Sequence, residues 1–182
     1  MTEPTPTCAP ANLPTSPEAL LARLEALGIE TQTVRHPPVF TVEQAKALRG
    51  ELPGHHIKNL FLRNKKGAMW LVVCLEDRQI DLKALAGALE AGRFSFGSAE
   101  RLMTYLGVEP GSVTPFAAIN DTDGQVQVVL DTAATENGPV NCHPLVNHMT
   151  TAITAADLIR FLESIGHPPR LLDMGLLDMG RI

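Results

Sequence analysis

Residues 68–75, AMWLVVCL, are apolar without interruption. A strand with one wet face alternates apolar and polar residues, so a run apolar at both sets of positions belongs in a strand covered on both faces. It is preceded by IKNLFLR (57–63) and by Asn64-Lys65-Lys66-Gly67, a four-residue turn ending on glycine. The pair reads as an antiparallel hairpin whose second strand lies at the centre of a sheet. Lys58 and Asn59 stand just where the apolar alternation of the first strand begins, which raises the question of what they are for.

Helix signals alternate with these strand signals. Ser16 followed by Pro17 gives an N-cap and a proline at the first helical position, with Leu20, Leu21, Leu24 and Leu27 recurring on one face until Gly28. A short strand is predicted over 31–35. The segment HPPVFT then breaks the chain before a helix opened by Thr41 and Gln44 in capping-box spacing, with Phe40 as a hydrophobic staple. Asp81 and Ser98 cap two further helices, the second ending at Gly107, and Thr154 with Asp157 caps the last. FAAIN (116–120) and VQVVLD (126–131), around Asp121-Thr122-Asp123-Gly124, read as a second hairpin, and strands continue through GPVNCHPLVN toward Ile153. The tally is about six or seven short strands and five helices, a mixed α/β or α+β domain.

With 182 residues, of which 45% are apolar and 19% charged, the chain fits one globular domain. The reading sets off residues 1–15, rich in Pro and Thr, as a flexible leader, 16–168 as the single domain, and 169–182 as a C-terminal tail. That tail holds LLDMG twice in succession (171–175 and 176–180), too few copies for a solenoid. No apolar run approaches the ~18 residues of a membrane helix, and the N-terminus lacks the pattern of a signal peptide, so a cytoplasmic protein is expected. Three widely spaced cysteines, Cys8, Cys74 and Cys142, support neither a disulfide framework nor a zinc knuckle. A net charge of −5 argues against nonspecific coating of nucleic acid and leaves room for a local basic patch.

The common catalytic signatures are absent: no G-x-S-x-G, P-loop, H-E-x-x-H or dinucleotide glycine pattern occurs. His143 and His148 are five residues apart with a proline between them and no acidic residue at matching spacing, so no metal is expected. Polar groups nevertheless cluster at element boundaries: Lys58 and Asn59, the loop PGSVTP (110–115), and NCHPLVN (141–147). Each also has an ordinary reading. A lysine at a strand start is commonly solvated, an Asn there satisfies backbone groups, Gly-x-x-x-Pro is turn chemistry, and a lone histidine is often a hydrogen-bonded core residue.

Taken together, HPPVFTVEQA (36–45), GHHIKNLFL (54–62), FGSAERLMTYLGVEPGSVTPFAAIND (96–121) and CHPLVN (142–147) resemble, in order and spacing, the prolyl-tRNA editing family of YbaK-like domains. The free-standing alanyl-tRNA(Pro) deacylase branch is the most similar, and the resemblance covers residues 17–168. It implies a barrel-like mixed sheet flanked by helices, and an enzyme that hydrolyses the ester joining a wrong amino acid to the tRNA 3′ end, with no metal or organic cofactor. Under it, Lys58 anchors the terminal adenosine and its phosphate, with Asn59 in the same motif. Gly111 and Pro115 match the G-x-x-x-P loop, with Ser112 and Val113 inside it, whose backbone N–H groups hold the carbonyl or its oxyanion. His143 matches the histidine beside the acyl pocket and Asn147 follows it. Proximity to these motifs suggests Phe40, Thr41 and Ile57 as pocket walls. The basic cluster Arg63, Lys65 and Lys66 reads either as a soluble hairpin tip or as a contact for the tRNA acceptor stem.

The implied chemistry is economical, because an aminoacyl ester is already activated and its hydrolysis needs placed water and a stabilised oxyanion. The substrate's own ribose 2′-hydroxyl is a candidate to position that water. A proline-sized active site cannot strongly reject alanine, since each missing methylene is worth only ~1–3 kcal/mol, so a small second sieve is expected. Cysteinyl esters and a noncatalytic module that binds tRNA ends or partner proteins remain alternatives. A monomer acting on mischarged tRNA, alone or docked to prolyl-tRNA synthetase, is the expectation.

Overall fold

The computed structural model describes residues 14–39, 41–49 and 52–178. Phe40, the residues up to Leu13 and the last four residues, which end the second LLDMG copy, lie outside the described residues.

The elements run α1 (Pro17–Ala26), β1 (Gln32–Arg35), α2 (Val42–Arg49), β2 (His55–Arg63), β3 (Met69–Leu75), α3 (Leu82–Ala88), β4 (Ser95–Phe96), α4 (Ala99–Leu106), β5 (Val126–Asp131), β6 (Pro139–Cys142), β7 (Met149–Thr154), α5 (Ala155–Ser164), β8 (Arg170–Leu172) and α6 (Gly175–Asp178). Short 3₁₀ helices span Pro115–Asn120 and Thr132–Thr135. The strands form one mixed eight-stranded sheet in the order β1-β7-β6-β2-β3-β5-β8, with β4 on β2. Helices flank it, as the resemblance implies.

β3 sits between antiparallel β2 and parallel β5, and its six residues Met69–Cys74 are all buried. One face, Met69, Leu71 and Val73, packs with Leu20 and Leu24 of α1, Leu102 and Leu106 of α4, and Leu158, Phe161 and Leu162 of α5. Phe116 meets Phe161 edge-on at 5.6 Å between ring centroids. The other face, Trp70, Val72 and Cys74, packs with Leu85 and Leu89 from α3 and its end, and with Phe94 and Met174; Trp70 meets Phe94 at 5.0 Å. A strand apolar on both faces is thus the wall between two cores.

The predicted caps form. Ser16, Asp81, Ser98 and Thr154 accept from Ala19, Lys83, Arg101 and Asp157 backbone N–H groups, and Thr41 Oγ1 accepts from Gln44 N–H at 3.1 Å. Two expectations are corrected. FAAIN is not a strand: Pro115 fixes the first helical φ and Thr114 Oγ1 accepts from Phe116 N–H, so 115–120 coils into a 3₁₀ helix and no hairpin forms with β5. Among the described residues the strands number eight, because β4 with two residues and β8 with three are too short to show any period. The first LLDMG copy contributes β8, paired parallel to β5, and buries Met174. Just ahead of the Ser16 cap, Thr15 N–H donates to Asn120 Oδ1 at 2.9 Å.

Candidate functional site

Lys58 and Asn59 lie inside β2 rather than ahead of it. The strand starts at His55 because His55 and His56 pair in parallel with Val140 and Asn141 of β6. That pairing requires glycine at 54, where φ is +101° and a Cβ would run into the Pro139 carbonyl. Beyond His56 the edge of β2 that faced β6 is released, and β4 takes it up again only at Leu62 and Arg63. The gap is a cavity of ≈ 250 Å³. A second cavity of ≈ 760 Å³ adjoins it, sharing His56 and Glu76 in its walls.

Four segments converge on the smaller cavity: Ile57, Lys58 and Asn59 from β2; Gly111 and Val113 from the loop after α4; Asn141, Cys142 and His143 from the end of β6; and His36, Val39 and Thr41 from the stretch between β1 and α2, with Ala45 from α2 itself. Asn59 Nδ2 donates to the Val113 carbonyl at 2.9 Å, which joins β2 to the loop and fixes the amide's orientation, because the reverse would set two oxygens against each other. Asn59 Oδ1 is then buried without a hydrogen-bond partner. Lys58 Nζ donates to the Arg78 carbonyl. Gly111, at φ +91°, makes the sharp turn that brings the loop to the cavity.

His143 donates from Nδ1 to the Met149 carbonyl at 2.9 Å, leaving Nε2 as the acceptor of the neutral ring. Burial holds its pKa below the ordinary histidine value; the bond to Met149 opposes this and the charge of His36 adds to it. His36, 6.2 Å away between ring centroids, donates from Nδ1 to the Pro37 carbonyl at 2.8 Å, and its Nε2 meets Thr150 Oγ1 at 2.8 Å. The loop carrying His143 is under backbone strain, with Leu145 in the left-handed region at φ +69°. Cys142 is buried and its thiol pKa is pushed far up by desolvation, so it is no nucleophile.

Of the residues singled out in the sequence, Thr41, Ile57, Lys58, Asn59, Gly111, Val113 and His143 come together around this cavity. Ser112, Pro115 and Asn147 do not line it. Ser112 and Pro115 are buried beside it in the chain, and Asn147 braces the wall: its Nδ2 donates to the Val39 carbonyl at 3.1 Å while its own carbonyl accepts from Val39 N–H at 3.2 Å. Arg63, Lys65 and Lys66 lie at the opposite end of β2. His36, His56, Glu76 and Thr150 are wall residues that sequence reasoning missed. His36 and His56 carried a signal, as members of HPPVFTVEQA and GHHIKNLFL; Glu76 follows β3 beside His56, and Thr150 comes from β7. Among the described residues no three His, Cys, Asp or Glu are grouped to hold a metal ion, and no helix is long and apolar enough to cross a membrane.

Known proteins bear out the resemblance. A family model described as "Aminoacyl-tRNA editing domain" matches residues 36–161. The chain is 42% identical over 160 residues to the Bos taurus prolyl-tRNA synthetase associated domain-containing protein 1, spanning 85% of this chain and 93% of that one. It is 34% identical over 158 residues to the Acetoanaerobium sticklandii prolyl-tRNA editing protein ProX, spanning 86% and 96%. A proline–tRNA ligase of Bacillus licheniformis is 30% identical over 140 residues, which are 74% of this chain and 24% of the ligase. The crystal structure of a candidate trans-editing enzyme for prolyl tRNA synthetase superimposes with a TM-score of 0.65 over 86% of this chain and 94% of that one; at 19% identity this likeness shows the fold. From the model match and the relatives that share nearly its whole described length, the chain belongs to the aminoacyl-tRNA editing domain family.

Proposed function

We propose that the protein is a trans-acting deacylase that hydrolyses the ester of mischarged alanyl-tRNA(Pro). The observation that carries this reading is Asn59 Oδ1, a buried acceptor with no partner in a cavity that also presents Lys58 and a neutral His143. A buried acceptor left unsatisfied costs about 1–3 kcal/mol, and a substrate that brings its own donor recovers it. An aminoacyl ester carries two such donors close to the scissile bond, the α-ammonium and the ribose 2′-hydroxyl.

In hydrolysis, water oxygen bonds to the acyl carbon, the ester C–O bond breaks, and the 3′ oxygen leaves with a proton as a hydroxyl. The Gly111–Val113 loop is suited to present backbone donors to the developing oxyanion, Lys58 to hold the anionic nucleotide end, and His143 to accept a proton or close the acyl pocket. The 2′-hydroxyl positions the attacking water, so a 2′-deoxy ester would be hydrolysed more slowly. At ≈ 250 Å³ the cavity lies below the usual range of ligand sites, ~300–1,000 Å³, which favours a small acyl group. Relatives named for prolyl-tRNA editing and for association with prolyl-tRNA synthetase support tRNA(Pro) as the carrier. The match to part of a proline–tRNA ligase supports action in the same cytoplasmic pathway, on the product of that class of ligase. Arg63 lies about 17 Å along β2 from Lys58, and Lys65 and Lys66, exposed at the hairpin turn, lie just beyond it, a reach that suits contact with the acceptor stem.

The test is the hydrolysis rate of alanyl-, cysteinyl- and prolyl-tRNA(Pro) at low micromolar protein, with Lys58→Ala in parallel. Loss of alanine alone, slowed on the order of 100-fold or more by the substitution, is expected. Faster loss of cysteine would move the specificity to that ester. Decay of all three at the buffer rate would sink the deacylase reading in favour of a binding module.

A further inference from the structure

Lys58 donates to a backbone carbonyl, that of Arg78, in the loop between β3 and α3. A carbonyl in a loop is a useful anchor only if the loop itself is held. Arg78 Nε donates to Asp131 Oδ2 at 2.6 Å, with the aspartate fully buried and the arginine side chain 13% exposed. Asp131 is the last residue of β5, and its other oxygen accepts from Ala133 N–H at 3.2 Å at the start of a 3₁₀ turn, so the carboxylate is itself fixed. The C-terminal repeat closes the third side: Met174 is fully buried, and a Cβ placed on Gly175 would come within 3.6 and 3.9 Å of the two terminal guanidinium nitrogens. The loop therefore takes its position from a rigid strand end two strands away from Lys58, and from the segment after β8.

We propose that the Asp131–Arg78 ion pair is a positioning device for Lys58: it fixes the Arg78 carbonyl, and through it the direction in which the ammonium enters the site. A hydrogen-bonded buried pair is suited to this because its short, directional bond holds the arginine, and the loop that carries it, to one geometry, whereas a solvated pair would let the loop drift. The anchoring stands on geometry alone. Its consequence for catalysis rests on the deacylase reading.

The experiment separates the two. Amine acylation by an N-hydroxysuccinimide ester, read by peptide mass spectrometry on the full chain, reports each lysine. In the wild type, Lys58 is expected to react about tenfold or more slowly than Lys65 and Lys66 on the exposed turn. In Asp131→Asn, Lys58 is expected to speed up at least fivefold while Lys65, Lys66 and Lys83 keep their rates; an unchanged Lys58 rate would overturn the proposal. Should Asp131→Asn fail to fold, Arg78→Gln carries the same readout, and loss of fold in both would also overturn it, since the pair would then be core structure and no positioning device. With alanyl-tRNA(Pro), Asp131→Asn is expected to lower kcat/KM at least fivefold, and the double variant with Lys58→Ala to be no slower than Lys58→Ala alone. Additive losses would count against the proposal. A wild type that hydrolyses none of the esters while its Lys58 is protected, and is released in Asp131→Asn, would sink the deacylase reading and leave the anchor standing.

Discussion

The two ends of β2 follow different physical rules. At the hairpin end, Phe61 and Leu62 are buried, β3 and β4 flank the strand, and Asn64 serves as the hub of the turn. Its Oδ1 accepts from Lys66 and Ala68 N–H groups at 3.0 Å each, and its Nδ2 donates to the Ala91 carbonyl at 2.9 Å. Every polar group of that side chain is used. At the cavity end, four to five residues earlier in the same strand, pairing with β6 lasts two residues, a lysine is tied to a distant loop, and an asparagine keeps one buried oxygen unpaired. Adjacent stretches of one strand thus differ in how fully their polar groups are satisfied: the satisfied end holds the fold, and the end left open can gain from a ligand.

The largest expected effect comes from the hairpin end. Leu62 has no exposed surface and packs with Trp70, Val72 and Leu85, so Leu62→Ala is expected to cost about 2–5 kcal/mol in denaturant unfolding. Under conditions where the variant is still folded, its kcat/KM should stay within about twofold of wild type. A large kinetic loss there would break the separation between the two ends.

The converse holds for Asn59. Its replacement by alanine removes one hydrogen bond to Val113, worth about 1 kcal/mol, and also removes the unpaired Oδ1, so the two changes offset in stability. Thermal unfolding should shift by no more than a few degrees, while hydrolysis of the aminoacyl ester drops on the order of tenfold to a hundredfold. Stability lost in parallel with activity would make Asn59 a structural residue like Asn64.

Asn64→Ala sharpens the comparison from the other side. Three hydrogen bonds at a turn are lost, two of them to backbone N–H groups that water can still reach, so about 1–2 kcal/mol of stability should go with no change in kcat/KM.

Local rules explain how much of this could be read in the sequence. The caps at Ser16, Asp81, Ser98 and Thr154, the turn at 64–67 and the all-apolar β3 each depend on residues within a few positions of one another, and they form as the sequence predicts. FAAIN reads as a strand from the turn signal Asp121–Gly124 after it, but Pro115 just before it starts a 3₁₀ helix instead. The site divides in the same way. Lys58, Asn59, Gly111 and His143 announce themselves as polar or flexible residues at element boundaries. Thr150 and Glu76 do not, because a threonine in β7 and a glutamate just after β3 look like ordinary surface residues until His36 meets Thr150 and the start of β2 lies beside Glu76. The Arg78–Asp131 pair spans 53 positions of sequence and has no local signature at all. Strands read from period alone also need length, which β4 and β8 lack.

The smallest expected effect is a pH dependence that belongs to the cavity end alone. Burial holds the folded His143 pKa below its unfolded value of 6.5, so on acidification the unfolded chain takes up the proton first. The neutral ring's contribution to stability is complete above about pH 6.5 and is lost as pH falls from there toward the lowered folded value. Measured as the difference in unfolding free energy between wild type and His143→Gln, the curve should be flat from about pH 7 to 8 and bend downward below 6.5. Histidines remote from this ring cancel in the difference, whereas His36, whose charge couples to His143, contributes to the same bend. The corresponding difference for Asn64→Ala should show no such bend, since that end of β2 carries no group that titrates in the window through its own bonds. If proton acceptance at His143 Nε2 is part of hydrolysis, kcat/KM has an acid limb in the same region that His143→Gln abolishes, together with most of the rate. A stability bend without a kinetic limb would assign the ring to closing the pocket; a bend in both would assign it to the chemistry.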